Sequence, residues 1–105
     1  MRIPTKVRIT SKRSYTVSLV ERFSEANTMG LCDPVSRQII LRKNLPPRPM
    51  LATFIHELIH AMEFEHGIEI SHRAVDQLDS AIEMLLRLNG WLKAGEGIAD
   101  LLGCD

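Results

Sequence analysis

The chain has 105 residues, 45% hydrophobic and 25% charged, the balance of an ordinary globular domain and far from the composition of a disordered one. A chain of this length builds one core and has no room for a separate specificity module, so residues 1–105 read as a single domain. Thirteen basic residues offset thirteen acidic ones, which leaves no net field for a phosphate backbone and argues against nucleic acid as a partner.

In chain order, residues 6–10 and 15–23 are rich in Val, Ile, Thr and Tyr around a polar Ser-Lys-Arg-Ser break, which predicts a hairpin. Lys6, Arg8, Lys12 and Arg13 fall in this segment and read as solvated strand and turn residues. Residues 24–36 carry Asn27, Gly30, Asp33 and Pro34, a turn-forming composition, and residues 37–42 with their Ile-Ile-Leu run predict a third strand. The Pro-rich stretch 45–49 cannot extend a sheet and sets Pro49 near a first helical position. From Leu51 the apolar residues Leu51, Phe54, Ile55, Leu58, Ile59 and Met62 follow one face of a helix that Gly67 ends. A second helix is expected from an N-cap at Ser71 to Asn89-Gly90, with Val75, Leu78, Ile82, Leu85 and Leu86 inside. The tail, 91–105, reads as a frayed helix or a packed extension. No stretch approaches the roughly 20 apolar residues of a membrane span, and the N-terminus has no secretory pattern, so a cytoplasmic location is expected. In that compartment Cys32 and Cys104 are expected to be free thiols.

All four histidines lie between positions 56 and 72, and the first two frame His56-Glu57-Leu58-Ile59-His60, an H-E-x-x-H pattern on the helix from Leu51. Imidazoles four residues apart sit about 40° apart around a helix and roughly 6 Å along it, so both can offer a nitrogen to one ion. Glu57 is then beside that ion, placed to take a proton from activated water and pass it to a leaving amine. The alternative is that the two histidines and the glutamate are solvated on a polar helix face.

A catalytic zinc takes three protein ligands, and the sequence offers several for the third place. His66 has the spacing of the extended H-E-x-x-H-x-x-G-x-x-H motif of metzincins, but Glu63 stands where that motif has Gly. On an unbroken helix His66 lies about 9 Å along and roughly 120° around from His60, which suits a cation at a helix C-terminus better than a ligand. His72, Asp76, Asp79 and Glu83 share one stripe of the second helix. A carboxylate from that stripe facing His56 and His60 would complete a His, His, carboxylate site.

Residues 52–89, from Ala-Thr-Phe-Ile-His-Glu-Leu-Ile-His through Val-Asp-Gln-Leu-Asp to Leu-Leu-Arg-Leu-Asn, resemble small phage and prophage proteins grouped with minimal gluzincin or ImmA/IrrE-like metallopeptidases. The upstream strands, with Gly30, Asp33 and Ile39-Ile40-Leu41, are similar in outline only. The resemblance implies His56 and His60 as zinc ligands, Glu57 as general base and Asp76 as the downstream acidic ligand. That family usually has Glu where this chain has Asp76, and a shorter arm leaves the role open to Asp79 or Glu83. His72 is either an oxyanion-stabilising group or simply a first-turn residue.

The expected fold is α+β and zincin-like: a small, mainly antiparallel sheet of about three strands under the motif helix, with the second helix closing the site. The expected reaction is zinc-dependent hydrolysis of a peptide or protein amide bond, in a host cytoplasm if the chain is phage-encoded. The alternative is a non-catalytic zinc-binding accessory or structural protein that acts by binding another protein.

Overall fold

The computed structural model describes residues 3–90; the expected frayed or packed tail at 91–105, and Cys104 with it, lie outside them. Four strands precede two helices: β1 Lys6–Arg8, β2 Ser14–Val20, β3 Gly30–Asp33 and β4 Gln38–Arg42, then α1 Pro47–His66 and α2 His72–Leu88. The sheet order is β1-β2-β4-β3. β1 and β2 form the expected antiparallel pair, with Tyr15 opposite Val7, and β3 and β4 form a second one.

The α+β class stands, but the sheet has four strands and is mixed. After β2 the chain crosses to the far edge, runs as β3, and turns back inward, so β4 lies parallel to β2 with Val17 opposite Ile39. β3 falls inside the segment expected to be a turn. Its four residues, Gly-Leu-Cys-Asp, have little strand propensity of their own, and they pair because Asp33 closes a tight return to β4. The Asp33 carboxylate accepts the N–H groups of Val35 and Ser36 at 3.0 and 3.3 Å, and Arg37 takes the left-handed conformation.

Alternation in β2 and β4 buries Tyr15, Val17, Ile39 and Leu41 against one face of α1, where Leu51, Phe54, Ile55 and Ile59 meet them. Each such side chain, fully removed from water, stabilises the fold by about 1.5–3 kcal/mol before entropy is counted. The Tyr15 hydroxyl donates to Glu65 Oε2 at 2.8 Å, and Arg37 Nε lies 3.3 Å from the same oxygen, which ties the sheet to the last turn of α1. Met62, expected inside, is half-exposed, and Ala61 takes the buried place.

α1 opens two residues earlier than expected, at Pro47, because proline in a first turn forfeits no helical hydrogen bond. It ends at Gly67, in the left-handed conformation at φ 65°. The Glu63 carbonyl accepts the N–H of Gly67 and, at 3.0 Å, that of Ile68. Ser71 caps α2 as expected, its hydroxyl accepting the Ala74 N–H at 3.1 Å. The inner face of α2 differs from the expectation. Val75 is fully buried and Ile82 and Leu86 pack against the core, but Leu78 and Leu85 are 41% and 51% exposed, and Asp79 and Glu83 are buried instead. No helix among the described residues is long and apolar enough to cross a membrane.

Candidate metal centre

His56 and His60 project from α1 toward α2, one helical turn apart. Their Nε2 atoms face each other at 3.1 Å, with the rings edge-on at 75°. The opposite nitrogen of each ring is committed to a carboxylate. His56 Nδ1 lies 2.9 Å from Asp79 Oδ2 and 3.3 Å from Asp76 Oδ1; His60 Nδ1 lies 3.0 Å from Glu63 Oε1. An ionised carboxylate only accepts, so each Nδ1 carries the proton and each Nε2 presents a lone pair.

Two lone pairs 3.1 Å apart repel unless a metal ion, or a proton shared between the two rings, lies between them. Tetrahedral zinc with Zn–N distances of about 2.0–2.1 Å sets two such nitrogens roughly 3.4 Å apart, close to the spacing seen. The donor chemistry therefore fits zinc: neutral imidazoles, each oriented through its far nitrogen by an acid, as metal-binding histidines are.

Two groups of possible ligand atoms converge here, each within 4.8 Å: His56 with His60 and His72, and His56 with Asp76 and Asp79. They lie on opposite edges of the His56 ring. His72, exposed at the start of α2, stacks on His60 with ring centroids 6.2 Å apart. Asp76, 56% exposed, stands between the two groups, with Oδ1 on His56 Nδ1 and Oδ2 3.6 Å from His72 Nε2. Asp79 is buried, and the Ser80 hydroxyl donates to its other oxygen at 2.9 Å. Glu83 is not at the centre: Arg48 and Arg87 hold it at 3.1 and 3.2 Å, where it braces the start of α1 against the later turns of α2. His66 is exposed in the last turn of α1 and belongs to neither group.

Glu57 lies between α1 and β3 at the edge of the same centre, with 6% of its surface exposed. A Cβ added at Gly30 would stand 3.0 Å from Glu57 Oε2 and 2.7 Å from Thr53 Cγ2, so only glycine lets β3 pass this closely. Burial pushes the Glu57 carboxyl up to about 6, with Asp79 adding to the rise and His56 and His72 opposing it. A cleft of about 550 Å³ opens along this side, lined by Asn27, Gly30, Thr53, Glu57, His72 and Asp76 among others. A second hollow of about 370 Å³, with Cys32, Phe64 and Ile68 in its wall, lies beyond His60. The Cys32 thiol is free, and burial, reinforced by Glu57, pushes it up to about 12, so it stays protonated.

Two residues of this site were not anticipated in their roles. Glu63 bonds a histidine three residues before it on the helix, a spacing that does carry a signal. Gly30 touches Glu57 only through the sheet, and nothing local to its sequence announces that. Comparison with protein-family models, with curated proteins and with solved structures gives no match.

Proposed function

We propose that the protein is a zinc-dependent metallopeptidase in which His56 and His60 hold the metal and Glu57 is the general base. The observation that carries this reading is the pair of Nε2 atoms 3.1 Å apart with both Nδ1 atoms engaged by carboxylates, an arrangement suited to a shared metal ion. Zinc, when bound, supplies Lewis-acid activation of water and of the scissile carbonyl. Glu57 supplies the proton transfer: a carboxyl with its affinity for protons raised to about 6 can take a proton and return it near neutral pH.

The third protein donor comes from the first two turns of α2. Asp76 is the residue that the family resemblance favours; its carboxylate lies 3.3 Å from His56 Nδ1, the nitrogen away from the ion, so as a ligand it has to turn toward the His72 side, where its other oxygen already points. His72 is the rival donor, since one of its ring nitrogens lies within 4.8 Å of nitrogens of both His56 and His60. Whichever of the two is the ligand, its replacement by Ala lowers zinc affinity further than replacement of the other.

A peptide substrate is favoured by β3. It is an edge strand of the sheet, with no strand partner on its outer side among the described residues, and Gly30 brings it against Glu57. An extended peptide can add to such an edge through its main chain, leaving its side chains to the hollows on either side. The location we propose is the cytoplasm, a phage host's if the chain is phage-encoded.

A second reading, a non-catalytic zinc protein acting by protein binding, is favoured by the nearness of His72 to both His56 and His60: with an acid of α2 turned in beside it the coordination sphere would be closed. One experiment separates the two. Zinc content by elemental analysis and cleavage of a mixed peptide pool are measured for the wild type, Glu57→Gln and His56→Ala. The expected result is full zinc content in Glu57→Gln with hydrolysis down by about 10²-fold or more, and loss of both in His56→Ala. Stoichiometric zinc with no cleavage above the level of Glu57→Gln selects the second reading; undiminished zinc in His56→Ala overturns both.

A further inference from the structure

Glu63 stands where a chain turning back after the motif would need glycine, and it makes four connections at the end of α1. Its carbonyl accepts the N–H groups of Gly67 and Ile68. Its carboxylate accepts twice more: Oε1 from His60 Nδ1 and Oε2 from the Ile70 N–H, each at 3.0 Å. The side chain is largely buried, at 17% exposure. One carboxylate thus sets the orientation of the second motif histidine and fixes the connector that delivers α2 with His72, Asp76 and Asp79.

We propose that Glu63 is a positioning residue that couples zinc binding to the docking of α2, an inference that rests on the metal reading above. Holding Nδ1–H keeps the His60 lone pair on Nε2, where the ion is to sit, and a carboxylate partner strengthens that nitrogen as a donor. Ion binding polarises His60 and tightens its bond to Oε1. The same carboxylate is then held more firmly for Ile70, so the connector and the start of α2 lose freedom as the metal binds. Linkage makes the effect reciprocal: whatever loosens the connector weakens the metal.

The chemistry of Gln at this position makes the idea testable. A carboxamide has one accepting oxygen and one donating NH₂, and His60 and Ile70 bond different oxygens of the carboxylate, so in this geometry it accepts from one of them but not from both. Zinc affinity by competition with a chromogenic chelator, the visible spectrum of the cobalt-substituted protein, and hydrogen exchange of the Ile70 amide are compared in the full-length wild type, Glu63→Gln and Glu63→Ala. Glu65→Gln is the control, since Glu65 anchors the same helical turn to Tyr15 and Arg37 and has no bond to His60.

The expected result is an affinity about 10- to 100-fold weaker in both Glu63 variants, a shifted cobalt spectrum, and slowing of Ile70 exchange by zinc in the wild type alone. Glu65→Gln is expected to lose stability while keeping its zinc affinity within about twofold. Full zinc affinity in both Glu63 variants overturns this inference alone, as does an equal loss in Glu65→Gln, which would mean that general loosening of α1 is the cause. A wild-type protein that takes up no zinc overturns the metal reading, and this inference with it.

Discussion

A carboxylate as enclosed as Glu57 has given up most of its hydration, and the two nearby imidazoles do not fully compensate. Its proton affinity in the folded chain is raised from the ordinary 4.5 to about 6, so the folded state binds the proton more tightly than the unfolded one. The stability that this contributes is fully present below pH 4.5 and is lost as pH rises through about 6. At neutral pH the metal-free protein therefore carries a burden of about 2 kcal/mol. Glu57→Gln is expected to stabilise the metal-free protein at pH 7.5 by up to that amount and to change it little at pH 4.5, as read by urea unfolding at the two pH values. A variant less stable at both would show that the carboxylate is better solvated than its burial implies. Gly30 answers to the same crowding from the other side. Gly30→Ala places a methyl 2.7 Å from Thr53 Cγ2 and 3.0 Å from Glu57 Oε2, and overpacking of this kind costs about 1–3 kcal/mol. Loss of activity beyond the loss of folded protein, with zinc content retained, is the expected signature.

At the level of elements, α1 was legible because every signal in its sequence agrees: prolines before it, apolar residues on one face, Gly67 after it. The two motif histidines and Glu57 could be placed with it, since a helix fixes the relation of positions 56, 57 and 60. β3 was not legible. Four residues led by glycine become a strand only by pairing with β4 through the Asp33 turn, and that pairing is invisible to any window containing β3 alone. The inner face of α2 was misjudged for a related reason. Hydrophobic spacing puts Leu78 and Leu85 inside, but Asp79 and Glu83 have partners waiting on α1, His56 for one and Arg48 for the other. A buried acid is acceptable where such a partner exists and costly where it does not. The helix is rotated toward its acids, and no reading of its own sequence contains those partners.

For the whole molecule, the sheet and α1 are joined by a continuous apolar core and by the Tyr15–Glu65 bond, which spans 50 residues of sequence. The centre itself spans α1 and α2. Metal that binds the native state and not the unfolded chain stabilises it by about 2.7 kcal/mol at one hundred times its dissociation constant. For a domain of this size that raises the melting temperature by about 10–20 °C. A thermal scan with zinc against one with a strong chelator is expected to show a shift of that order, and a shift near zero would remove the centre from consideration.

The packing of α2 has a kinetic corollary. Its neighbour is α1, and Val75 is its one fully buried apolar side chain; Ile82 and Leu86 are only partly buried, and the buried acids Asp79 and Glu83 face His56 and Arg48. Such a helix is expected to open as a separate foldon while the layer beneath stays intact. Amide protons of α2 should then exchange through a shallow opening of a few kcal/mol, and those of Ile39, Leu41 and Phe54 only through global unfolding. The protein would spend part of its metal-free life with one wall of its cleft swung outward, a ready entry route for an ion on its way in.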